Sequence, residues 1–132
     1  MNVLLSIKPE YVERIFSGEK KFEYRKSIFK RNDIKKIVIY STMPEGKIVG
    51  EFSIEQIHDN SPELIWKKTK KSSGIQKSFF DSYFIGRKKA YAIEIADVIK
   101  YDTPIKLSQL SKKVTAPQSF SYLNDDMFPK MA

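Results

Sequence analysis

Apolar and polar positions alternate along this chain with two different periods, and each change of period marks an element. Val3, Leu4, Leu5 and Ile7 form an almost unbroken apolar run, which predicts a buried strand over Asn2–Ile7 that Lys8 and Pro9 end. Proline suits the first helical position and glycine the residue past a helix end, so Pro9 and Gly18 bracket a short helix with Val12, Ile15 and Phe16 inward. Residues 21–26 then alternate as a strand, Phe22 and Tyr24 to one side, Lys21, Glu23 and Arg25 to the other. Residues 34–41 are apolar on both faces from Ile37 to Tyr40, as a central strand covered on both sides requires. After a turn at 43–46, residues 47–57 alternate, with Ile48, Phe52 and Ile54 on one face and Gly50 among them. Ser61 before Pro62 offers a cap for a helix carrying Leu64, Ile65 and Trp66. Residues 76–84 space Phe79, Phe80, Tyr83 and Phe84 at helical intervals, which places that cluster in the core. Residues 90–101 form a long strand in which Asp97 breaks the alternation as a bulge would; 107–110 suit one helical turn and 117–123 a short extended return. The remaining residues, 124–132, read as a flexible tail, so the domain spans 1–123.

The elements make an α+β pattern: five to six strands in a mixed sheet or small barrel, with helices packed outside it. At 132 residues, 41% hydrophobic and 30% charged, the chain has the size and balance of one globular domain. The absence of cysteine excludes disulfides, thiolate metal sites and a cysteine nucleophile, and His58 alone cannot build a multi-histidine centre. No metal and no cofactor are expected. The opening residues have too short an apolar run for a secretion signal or a membrane span, so a cytoplasmic protein without membrane association is expected. Lys and Arg exceed Asp and Glu by 24 to 16, a formal charge of +8, which suits an anionic partner such as nucleic acid. The basic run at 67–71 reads as a solvated helix face able to touch phosphates.

The candidate chemistry lies in the octet GEKKFEYR at 18–25, which sets Lys20, Glu23 and Arg25 at the entrance of a strand. Lys20 can neutralise a phosphate as a point charge, and Arg25 can present a planar fork to phosphate or base edges. Glu23 accepts hydrogen bonds from amino or imino groups of a base. Tyr24, Trp66 or Phe120 can stack an unpaired base, though each also suits a structural place. A half-buried strand with a solvated charged face has the same pattern, so the octet alone leaves both readings open.

Taken with its surroundings, VLLSIKPEY, GEKKFEYRK, VIYST, GEFSI, YFIGRKKAYAIEI and PQSFSYL in this order, the chain resembles the ASCH family of the PUA-like superfamily. Gly18, Lys20, Glu23 and Arg25 match that family's Gly-x-Lys-x-x-Glu-x-Arg pattern. The resemblance implies a small, curved PUA-like β-barrel with flanking helices. It also implies a basic cleft between barrel and first helix that binds RNA or a modified nucleoside. Lys8, Lys20, Glu23, Tyr24 and Arg25 would line that cleft, with Ser41, Thr42, Gln118 and Ser119 as neutral donors and acceptors at its rim. The family also includes hydrolases, a ribonuclease and 4-acetylcytidine amidohydrolases, in which Lys20 and Glu23 would be the catalytic pair. Glu23 stands where the amidohydrolase pattern has threonine. An adaptor that meets an acidic protein is the third reading.

Overall fold

A computed structural model of the chain describes residues 1–128. Its strands are β1 (Asn2–Ile7), β2 (Phe22–Arg25), β3 (Lys36–Ser41), β4 (Lys47–Asn60), β5 (Ala90–Ile105) and β6 (Phe120–Leu123). The helices are α1 (Pro9–Ser17), between β1 and β2, and α2 (Pro62–Thr69) and α3 (Lys77–Tyr83), between β4 and β5. All six strands join one mixed sheet in the order β2-β5-β4-β3-β1-β6, with β1 and β3 parallel and the other neighbours antiparallel. The fold is α+β, as the pattern of elements predicts.

Central strands need cover on both faces, and β1 shows how it is supplied. Val3, Leu5 and Ile7 join Val12 and Ile15 of α1 in one buried cluster; Leu4, on the opposite face, packs with Val38, Leu123 and Met127 in a second. A third cluster joins Tyr24 of β2 and Ala92 of β5 to Ile65, Phe80 and Phe84 from the helical segment. Each fully buried aliphatic or aromatic side chain contributes about 1.5–3 kcal/mol relative to exposure, so the two faces of β1 anchor the sheet more firmly than helix propensity does.

The expected barrel is an open ladder instead: β2 and β6 form its two edges. Both are only four residues long, too short to extend the pairing. The sheet nonetheless curls enough for the Arg25 Nη2 on β2 to donate to the Ser6 carbonyl of β1 at 2.9 Å, though three strands lie between them in the ladder. Phe29, from the segment after β2, closes the same gap by meeting Phe120 edge-on at 5.9 Å.

Bulges produce that curl and correct one expectation about faces. Ile39 pairs with Gly50 and Tyr40 with Ile48, leaving Val49 as an extra residue. One extra residue inverts the alternation, so Ile48 lies in the second cluster while Phe52 lies in the first, not on a shared face. The bulge at Asp97 is present: Ala96 pairs with Ser53 and Ile99 with Glu51, and Asp97 takes a φ of 48°. Gly50 packs tightly, since a Cβ there would lie 2.5 Å from the Ile99 carbonyl oxygen and 2.8 Å from the Phe16 ring. β5 runs on through Pro104; beyond Glu94 it pairs only with β4, and a strand with a free edge tolerates proline. Of the stretch expected as a tail, Asp125–Met127 forms a 3-10 turn that buries Met127 in the second cluster, and residues 129–132 lie outside the described residues.

Candidate functional site

α1 ends where Gly18 adopts a φ of 87°, the left-handed conformation that glycine takes without steric cost. The chain then turns back, and the Lys20 N–H donates to the Arg14 carbonyl while the Lys21 N–H donates to the Ser72 carbonyl, each at 2.9 Å. Lys20 is thereby held between α1 and the segment leading to α3. Gly74 in that segment has a φ of 65°, and a Cβ on it would lie 2.3 Å from Lys20 Cβ and 2.7 Å from Lys20 Cα. Only glycine fits there.

The Lys20 side chain is 2% exposed. Its ammonium donates to the Phe22 carbonyl and, at 3.4 Å, to the Ser73 carbonyl, and lies 3.7 Å from Glu23 Oε1. It also sits 4.8 Å from the centre of the Tyr24 ring. Burial, which disfavours the charged form, lowers the lysine's pKa, and Glu23 opposes that shift. The Glu23 carboxylate lies between two cations, with Arg25 Nε 3.2 Å from Oε2. That contact is an ion pair without hydrogen-bond alignment, so the buried Arg25 Nε–H has no partner among the described protein atoms while Nη2 holds Ser6. A carboxylate fixed by two cations, beside donors not fully used, can meet both donor and acceptor atoms of a ligand.

These groups form one side of a cleft of about 130 Å³ that opens between the end of β1, α1, β2 and α3. Its other wall is aromatic: Tyr11 of α1 lies 5.4 Å from Phe79 of α3, and Phe79 stacks on Tyr83 at 6.2 Å with an interplanar angle of 11°. Lys8 and Lys26 place ammonium groups 5.4 Å and 4.6 Å from the Phe79 and Tyr83 rings. Tyr24 is anchored in the core side of the cleft. Thr69 gives its hydroxyl proton to the Ile65 carbonyl at 2.7 Å, so Tyr24 donates to Thr69 Oγ1 at 2.7 Å, and burial pushes the Tyr24 pKa up to about 12.

Five residues expected at the site therefore meet here: Lys8, Lys20, Glu23, Tyr24 and Arg25. The expected rim residues Ser41, Thr42, Gln118 and Ser119 are not among those that line the cleft. Ser41 is buried at the end of β3, where the following Thr42 N–H donates to the Ile7 carbonyl. Gln118 and Ser119 line a separate groove beside β6. Trp66 packs 4.9 Å from Phe80, and Phe120 packs against Phe29, so both serve the core. The helical spacing predicts Phe79 and Tyr83 in the core with Phe80 and Phe84. In the helix, Phe80 and Phe84 point inward and Phe79 and Tyr83 form the cleft wall, a split that the i, i+4 spacing of each pair carries. Gly74 carries no local signal, whereas Ser6 and Tyr11 belong to the VLLSIKPEY segment that is part of the family resemblance. Among the described residues no group of three or more His, Cys, Asp or Glu side chains is placed to hold a metal ion, and no helix is long and apolar enough to cross a membrane.

A family model described as "Domain of unknown function (DUF365)" matches residues 1–118. An ASCH domain-containing ribonuclease from Zymomonas mobilis is 29% identical over 132 residues, covering 97% of this chain and 88% of that protein. The crystal structure of ASCH from Zymomonas mobilis superposes with a TM-score of 0.87 at 27% identity, over 96% of this chain and 90% of that one. A large ribosomal subunit protein uL22 from Ureaplasma parvum is 30% identical over 121 residues, and this chain spans 39% of its length.

Proposed function

We propose, from the premise that this chain belongs to the family of the DUF365 model and is an ASCH-domain protein, that its cleft seats one unpaired nucleotide of an RNA strand or a modified nucleoside. The observation that carries this reading is the junction of the Lys20–Glu23–Arg25 cluster with the Tyr11–Phe79–Tyr83 wall. A base stacks on the aromatic wall, and stacking is the ordinary way in which proteins hold unpaired bases. Glu23 accepts from the base's amino or imino group, and the Arg25 guanidinium donates to a neighbouring acceptor. Lys8, which lines the cleft, and Lys26, whose ammonium lies beside the Tyr83 ring, face the phosphates. Lys20, on the floor, fixes the carboxylate and has one long contact, to the Ser73 carbonyl, that a ligand oxygen can replace. In this reading the curled, open sheet is a PUA-like barrel left unzipped between its edge strands β2 and β6.

The name of the Zymomonas mobilis relative favours a second reading, RNA cleavage at the same cleft. A lysine whose pKa burial lowers, beside a carboxylate and a guanidinium, has the parts for proton transfer and for stabilising charge on a phosphate. One experiment separates the readings: labelled single-stranded RNA and 4-acetylcytidine are each incubated with the protein and with Lys20→Ala. Salt-sensitive binding without product supports a nucleotide-binding domain. Product that disappears in Lys20→Ala supports a hydrolase. If the protein binds neither ligand at low salt, the cleft reading fails, and an acidic protein partner takes its place.

A further inference from the structure

The cleft has a neighbour. Beside the edge strand β6 a groove is lined by Lys112, Lys113, Ser119, Ser121 and Tyr122. One hydrogen bond links the two concavities: Ser6, whose carbonyl holds Arg25 in the cleft, donates its hydroxyl to the Pro117 carbonyl of the groove at 2.7 Å. Lys112 and Lys113 are exposed and make no ion pair among the described residues. Tyr122 is 37% exposed, and Arg31 lies 5.7 Å from its centre.

We infer that this groove is a second subsite, which holds the next nucleotides of the same RNA strand whose one unpaired nucleotide occupies the cleft. The inference rests on the nucleotide reading of the cleft and extends it. The groove adjoins the cleft, so a strand leaving it can cross the Ser6–Pro117 wall without leaving the surface. Its composition matches single-stranded nucleic acid, with two ammonium groups unpaired among the described residues for phosphates and an exposed ring for a base.

The test compares a mononucleotide with single-stranded oligoribonucleotides of increasing length on the wild-type chain, a Lys112→Gln/Lys113→Gln double variant and Tyr122→Ala. Mononucleotide affinity stays the same in all three. Affinity of the wild type rises with length, and Tyr122→Ala loses about fivefold or more of the gain, as a lost stacking contact does. In the double variant the dependence of log K on log salt is shallower by about 1.4, two phosphate contacts at about 0.7 each. The lysine exchange lies on exposed side chains, so it reports on binding even if the Tyr122 variant folds poorly. If longer RNA binds the wild type and the double variant with the same affinity and salt slope, the subsite is overturned and the cleft reading stands. If the wild type binds neither mononucleotide nor oligomer, both fail.

Discussion

Gly74 links the fold to the site, and replacing it with alanine gives the sharpest quantitative test. Two costs act together. At a φ of 65° an L-residue sits in the left-handed region, which costs about 1–2 kcal/mol. The new Cβ also meets Lys20 Cβ at 2.3 Å and Lys20 Cα at 2.7 Å, and Cα belongs to a backbone pinned to Arg14 and adjoining one pinned to Ser72. Relief of such a contact requires backbone movement, an overpacking cost of about 1–3 kcal/mol. The expected loss is therefore about 2–5 kcal/mol. Gly86→Ala separates the two terms, because Gly86 has a φ of 76° but nothing within 4 Å of an added Cβ, so only the left-handed cost applies. Urea denaturation of both variants reads the difference as a change in midpoint at constant slope. Gly74→Ala should also displace the Lys20 ammonium and weaken RNA binding in the fraction that folds. Equal destabilisation of the two variants would refute the packing of Gly74 on Lys20.

Lys20→Met should remove a pH dependence of stability. Because the folded-state pKa is lowered, the unfolded chain holds more protons between that value and 10.5, so wild-type stability rises with pH across that window and the variant's should not, as urea denaturation at stepped pH measures. Tyr24→Phe should cost about 0.5–1.5 kcal/mol at neutral pH through loss of its hydrogen bond to Thr69. Its raised pKa, about 12, means that the contribution is complete below pH 10 and is lost as pH climbs toward 12, so the variant should show a smaller alkaline loss of stability in the same assay. Arg25→Lys keeps the charge but loses the fork that meets Ser6 and Glu23, and thermal unfolding should register a loss of about 1.5–3 kcal/mol.

Much of this architecture was legible because local chemistry determined it. Pro9 and Gly18 bound α1, the two-faced apolar run of β3 placed it inside the sheet, and Asp97 marked a bulge. Ile48 was misassigned because a bulge at Val49, a residue as apolar as its neighbours, leaves no mark in the alternation. The octet identified Lys20, Glu23 and Arg25, yet sequence spacing cannot tell that Lys20 is buried: that follows from Gly74 and Ser73, more than fifty positions away in the chain. Gln118 and Ser119 lay near the right end of the sheet but across the Ser6–Pro117 contact, which depends on how β6 pairs with β1.

RNA should place a base on the Tyr11–Phe79–Tyr83 wall with its edge toward Glu23 and Arg25. A crystal structure of the chain with a short single-stranded oligoribonucleotide tests it most directly. One base is expected in the cleft, with a hydrogen bond to Glu23 and its phosphates toward Lys8 and Lys26. Ordered RNA bound elsewhere, with the cleft empty, would contradict it.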